Sequence, residues 1–243
     1  MASTASSTAS SGLPPGVAPL RAGQGHSFLW RRLHSLSGIV PIGAFLVEHF
    51  ISNTEAMKGP AAYNGTVRFL NSLPFVLFLE WGLIFIPILY HSLYGFYIWF
   101  RGDSNVSEYP WTSNWMYTMQ RWTGAVAFAY MLYHTWTLRF TGEHLAANPD
   151  AGFDKVYNQF QGHPWIVLFY FVGVIAASWH FAYGIYLFCA KWGITTGDNA
   201  RRKLGYVCVA IGLAMVGLGV YSMIGFLGYR AGMSGDTLTK IFH

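Results

Sequence analysis

Five long apolar runs, separated by short polar stretches, dominate the chain. They cover about residues 33–51, 74–100, 115–138, 164–190 and 204–229, and only Glu80 and His91 interrupt the second. At ~1.5 Å rise per residue, each run crosses a ~30 Å hydrocarbon layer or nearly so. Trp30, Trp99, Trp111, Trp115, Trp165 and Trp192 mark several ends of the runs, where indole suits the membrane–water interface. Pro41 and Pro87 fall inside runs, which membrane helices tolerate. The pattern predicts an all-α integral membrane protein with five transmembrane helices, residues 28–230. An extension over residues 1–27, rich in Ser, Ala, Gly and Pro, reads as disordered and cytoplasmic. No apolar stretch before a cleavage site makes it a secretory signal. Residues 231–243 read as a short C-terminal tail.

Composition strengthens this picture. Of the 243 residues 53% are hydrophobic and only 10% charged, against roughly 25% charged in soluble domains. A soluble enzyme of this length lacks the polar groups to cover its surface. The net charge of +5 does not imply nucleic-acid binding, because basic residues sit between apolar runs rather than in one patch. Cys189 and Cys208 form no CxxC or CxxCH spacing, which excludes covalent c-type haem, a Cys-ligated iron–sulfur cluster and a disulfide scaffold. With the N-terminus inside, nine Lys and Arg fall on inner segments and six on outer ones. That bias places the N-terminus in the cytoplasm and the C-terminus outside.

Candidate chemistry lies in the histidines. His49, His91, His134 and His180 sit deep in four successive runs. A lone membrane histidine is commonly a hydrogen-bonded packing residue. One on each of four helices points instead to function, because ionisable groups in lipid are costly, and neutral imidazole is a common haem-iron ligand. His91 and His180 lie roughly 15 Å from the inner ends of their runs, and His49 and His134 roughly 25–30 Å. Two stacked haems need two such levels. Both inner histidines begin a His-x-x-Tyr-Gly sequence. Gly95 and Gly184, one turn on, would leave clearance for a flat macrocycle. His26, His144, His163 and His243 read as solvated. His34 lies near the inner mouth, too shallow to match either level. It is either an interfacial anchor or, with Arg31, Arg32 and Ser35, a contact for a haem propionate or a quinone. Lys191, eleven residues after His180, shares its helix face and suits a propionate. Glu48 and Glu80 lie near the outer ends of the first two runs. Glu80, about two turns inside and three turns from His91, is a candidate acceptor for the proton of an oxidising hydroquinone.

The run Arg31-Arg32-Leu33-His34-Ser35-Leu36-Ser37-Gly38 resembles the start of the di-haem cytochrome b subunit of succinate dehydrogenase and fumarate reductase. Asn71-Ser72-Leu73-Pro74-Phe75, residues 87–95, Asn114-Trp115-Met116, Gln120-Arg121-Trp122-Thr123-Gly124 and Trp192-Gly193-Ile194-Thr195 extend the likeness over about residues 28–230. The b558 type of menaquinone-using bacteria is the nearest in pattern. The resemblance implies five helices, the first four forming a haem-binding bundle. It implies two b haems, with His49 and His134 holding the outer and His91 and His180 the inner. It also implies a flavoprotein with FAD and an iron–sulfur protein as partners on the cytoplasmic face of a bacterial membrane, with menaquinone as exchangeable substrate. Higher oligomers of that complex are compatible with it. Two other readings remain open at this point: the di-haem cytochrome b of a hydrogenase or formate dehydrogenase, and a haem-free transporter using histidines as a proton relay.

Overall fold

The computed structural model describes residues 24–102 and 106–229. The expected tail at 231–243 and nearly all of the expected extension over 1–27 lie outside them. The described chain divides between Leu33 and His34, and every site contact reported below lies on the C-terminal side of that division. The described residues form helices α1 (Gln24–Ile39), α2 (Pro41–Asn53), α3 (Pro60–Asn71), α4 (Val76–Phe78), α5 (Ile86–Arg101), α6 (Thr112–Thr135), α7 (Gly152–Gly162), α8 (Pro164–Lys191) and α9 (Asp198–Gly228). No strand occurs among the described residues.

Four helical stretches are long and apolar enough to cross a membrane: Ser27–Lys58, Val76–Arg101, Pro164–Lys191 and Asp198–Gly228. The first joins α1 to α2, because Val40 donates to the Leu36 carbonyl and Ala44 to that of Val40 across the Pro41 junction. Gly59 ends it at φ 92°, a backbone region that favours glycine, and Pro60 starts α3. The fifth expected span corresponds to α6, 24 residues long. Its inner half carries Asn114, Gln120 and Arg121, and these polar groups keep it out of the apolar set.

Two of the stretches between the apolar runs are themselves helical. α3 and α7 form a cap because each has an apolar face to bury. Phe153, Val156 and Phe160 of α7 are buried, and they recur at helical spacing. Asn64 joins the two, donating to the Asp150 carbonyl at 2.6 Å and accepting from the Phe153 amide at 2.9 Å. Arg68 pairs with Asp150. Tyr63 is partly buried in this cap, and desolvation pushes its hydroxyl up to about 12. The Lys155 ammonium donates to the carbonyls of Leu138, Thr141 and Glu143 at 2.7–2.8 Å. It thereby closes the outer end of the α6 stretch. At the other end, Arg121 donates to the carbonyls of Trp99 and Gly102 and caps α5.

The largest apolar cluster lies beneath the cap, where Phe50, Phe153, Tyr170, Val174 and Phe226 meet. Gly225 lets α9 approach the backbone of Ala56 and Met57, where a Cβ would come within 2.6 Å. α5 buries no residue, and its Ile86, Leu89, Leu93 and Phe100 are exposed. Large apolar side chains facing outwards suit a lipid environment.

Candidate functional site

The four deep histidines come together in two pairs. His91 of α5 and His180 of α8 have ring centroids 6.1 Å apart and planes at 89°. His49 of α2 and His134 of α6 have centroids 5.7 Å apart and planes at 83°. These are the pairs that depth along the helices groups together.

The inner pair is held by backbone. His91 Nδ1 lies 2.9 Å from the His34 carbonyl, and His180 Nδ1 lies 3.0 Å from the Gln120 carbonyl. A carbonyl oxygen only accepts, so in each ring Nδ1 carries the proton and Nε2 keeps a free lone pair. Gln120 also donates from Nε2 to the His180 carbonyl at 3.0 Å, which ties α6 to α8. The outer pair has different surroundings. Asn53 Nδ2 donates to the His49 carbonyl at 2.7 Å and lies 3.4 Å from both ring nitrogens. His134 Nδ1 is buried with no protein hydrogen-bond partner. A cavity of about 60 Å³ adjoins this pair, lined in part by Tyr130, Tyr170 and Ser222.

The ring of His34, on the helix that begins at Gln24, stacks on His91, with centroids 4.1 Å apart and planes at 13°. Ser35 accepts from Trp192 Nε1 at 3.1 Å, which ties the last turns of α1 to the residue that follows α8. Arg31 lies one turn before Ser35 on α1. Gly95 faces the His34 ring, and Gly184 faces Gln120 and Ile39.

Glu80 is held by Arg139. Its carboxylate accepts from Nε at 2.5 Å and from Nη2 at 2.9 Å, a bidentate pair. Both residues occupy π-helical turns, Leu79–Phe85 and Trp136–Phe140, a conformation frequent at functional sites. Lys155 lies nearby. Burial lowers its pKa, Glu143 opposes the shift and Arg139 adds to it. Glu48, the other acid considered, is exposed. Sequence reasoning missed Arg139, since nothing local links residues 59 positions apart. It also missed Gln120, Gly38 and Gly124, although their spacing carries a signal discussed below.

The donor set fits a group that takes an imidazole from each of two helices: the ring centroids are 6.1 Å apart for His91 and His180 and 5.7 Å apart for His49 and His134. Among the described residues no group of three His, Cys, Asp or Glu side chains is placed to hold a metal ion by itself. The pairs would hold a macrocycle that brings its remaining donors with it.

The molecule is thus a helical, multi-pass membrane protein with paired imidazoles at two levels between its helices. The family model described as succinate dehydrogenase/fumarate reductase transmembrane subunit matches residues 103–219. The chain is 36% identical over 200 residues to the succinate dehydrogenase cytochrome b558 subunit of Bacillus subtilis (strain 168), covering 82% of this chain and 97% of that protein. It belongs to the succinate dehydrogenase/fumarate reductase transmembrane subunit family.

Proposed function

We propose that this chain anchors a succinate:menaquinone oxidoreductase, or a fumarate reductase, and carries electrons between its iron–sulfur subunit and membrane quinone through two b haems. The observation that carries this reading is the pair of imidazole levels, His91 with His180 and His49 with His134. The name of the Bacillus subtilis relative, a cytochrome b558 subunit, supports it. On this reading α6 is the fifth transmembrane helix. The N-terminus is cytoplasmic and the C-terminus outside. The flavoprotein with FAD and the iron–sulfur protein lie on the inner face, the iron–sulfur protein against Arg31, Arg32 and residues 101–114 and 191–203.

When bound, the two haems supply one-electron storage at two depths. The protein's own groups do the rest. The Nδ1–H bonds of His91 and His180 fix the neutral tautomer that leaves Nε2 as a donor. Gly95 and Gly184 keep side chains out of the space beside the inner pair. Arg31, His34, Ser35 and Lys191 offer hydrogen-bond donors and charge for propionates or a quinone at the inner mouth. At the outer level Glu80 is oriented by Arg139. A hydroquinone oxidised there gives up two electrons, which leave towards the iron–sulfur partner, and two protons, of which the Glu80 carboxylate takes one and water at the outer face the other.

The test is spectroscopic. Membranes containing the complex should show b-type reduced-minus-oxidised absorption from two haems per subunit. His91→Ala or His180→Ala should remove one, and His49→Ala or His134→Ala the other. Two haems remaining in the His91→Ala/His180→Ala double variant would overturn the assignment. Absence of b-type absorption would favour a histidine-based transporter, and catalytic partners outside the membrane would favour a hydrogenase or formate dehydrogenase cytochrome.

A further inference from the structure

The inner histidine pair sits in a duplicated cradle that neither the family match nor the name of the relative describes. His34 and Gly38 stand four residues apart on α1, and Gln120 and Gly124 stand four apart on α6. In each case the carbonyl of the first residue accepts the Nδ1–H of a deep histidine, at 2.9 Å for His91 and 3.0 Å for His180. In each case the second residue is a glycine lying against that same ring. A Cβ on Gly38 would fall 2.9 Å from His91 Nδ1, and one on Gly124 would fall 2.8 Å from His180 Cε1. Both approaches are closer than real Cβ contacts allow, and imidazole is a rigid ring rather than a flexible tip.

The repeat extends to the facing helices. Gly95 follows His91 by one turn, where a Cβ would lie 3.3 Å from the His34 side chain, and Gly184 follows His180 by one turn, where a Cβ would lie 3.7 Å from the Gln120 side chain. Thus α1 with α5, and α6 with α8, present the same four-part arrangement: an acceptor carbonyl, a glycine, a histidine and a second glycine. The outer pair has no counterpart. His134 Nδ1 has no protein partner, and His49 is approached by the Asn53 amide instead.

The geometry points to Gly38 and Gly124, with the carbonyls of His34 and Gln120, as the positioning elements that set the ring plane and tautomer of the inner histidines. The inference rests on the proposed haem ligation by His91 and His180. Helical backbone ordinarily spends its carbonyls within the helix. Here the second lone pair of each oxygen serves a ring on another helix, and only a residue without Cβ one turn later admits that ring. Partners that hydrogen-bond to a ligating imidazole commonly change metal affinity or activity by about 10–100-fold.

The experiment uses the assembled complex with Gly38→Ala and Gly124→Ala, read by redox titration and by low-temperature electron paramagnetic resonance of the ferric haems. Each variant should shift the inner haem's low-spin signal. Each should also change its oxidised-to-reduced ratio at the unsubstituted midpoint roughly tenfold, about 59 mV for one electron. The outer haem should stay in place. Gly219→Ala serves as a control, because that glycine is also tightly packed but faces Val174 and Phe50; it should leave the inner haem unmoved. Unchanged inner-haem signals in both variants, or equal shifts with Gly219→Ala, would overturn the inference.

A measurement on the unsubstituted complex covers variants that fail to assemble. The Nδ1 protons of the inner haem's ligands, followed by electron–nuclear double resonance in deuterated buffer, should exchange more slowly than those of the outer haem. Equal exchange at both haems would also overturn the inference. Failure of the ligation itself is distinguishable, since His91→Ala and His180→Ala would then retain both haems.

Discussion

Glu80→Gln separates proton acceptance from packing at the outer level. The carboxylate makes two bonds to Arg139, at 2.5 and 2.9 Å. Glutamine keeps one acceptor oxygen and turns an NH2 group towards a guanidinium that only donates, so one charge-assisted bond is lost. Such bonds contribute about 1.5–3 kcal/mol. With side chains 29% and 19% exposed, a loss of about 2 kcal/mol is the reasonable figure. That lowers the population of the strapped arrangement about thirtyfold relative to its open form. Removing a general base costs a further ~100-fold or more in the step it serves. The assay compares fumarate reduction driven by oxidation of a menahydroquinone analogue with fumarate reduction driven by a reduced soluble dye. Quinone-linked turnover should fall at least ~100-fold, while dye-linked turnover and both haem spectra persist. Arg139→Gln keeps the carboxylate but removes the strap, so its quinone-linked loss should be the smaller one. Turnover at an outer site should also respond to membrane potential, at ~2.3 kcal/mol per elementary charge per 100 mV. Unimpaired quinone turnover in Glu80→Gln would refute the outer site and move the quinone to Arg31, His34 and Ser35.

The cap offers further tests. Phe153 is fully buried, so Phe153→Ala should destabilise the solubilised protein by about 3–5 kcal/mol, read as a lowered Tm. Asn64→Ala strands the Asp150 carbonyl and the Phe153 amide; at about 1–3 kcal/mol for each unsatisfied group, deuterium should enter the Phe153 amide faster. Asn64→Asp keeps the acceptor for that amide and should show the smaller effect. Lys155→Met removes the donor to three carbonyls and should speed proteolysis between α6 and α7. Burial lowers the Lys155 pKa, so the folded state releases that proton before the unfolded one. Linkage then makes the unsubstituted protein gain stability over Lys155→Met, by a small margin, as pH rises between the two pKa values.

The helices were legible because lipid-facing segments need an uninterrupted apolar run, which composition alone displays. Residues 164–190 became Pro164–Lys191 with a one-residue difference. α9 starts at Asp198, six residues before the expected 204. Hydropathy stops at the basic run Arg201-Arg202-Lys203, whereas the helix continues through it with Asp198 in its first turn. The pairing of histidines followed from depth, since rise per residue is nearly constant along a helix. Arg139 was invisible because an ion pair between distant turns leaves no periodic trace. The cap helices left no apolar run in the sequence because α7 carries Asp154, Lys155 and Asn158 between its buried positions.

α6 is the least apolar of the long helices, and its inner half carries Gln120 and Arg121. Such a segment partitions poorly from the protein-conducting channel into lipid when presented alone. α5, by contrast, is strongly apolar, and Arg121 ends up on the carbonyls at its terminus. The consequence concerns biogenesis. α5 and α6 would leave the channel together as a hairpin, with the arginine desolvated against its neighbour's last turn rather than against acyl chains. The residue that caps α5 would then license a marginal helix to enter the bilayer.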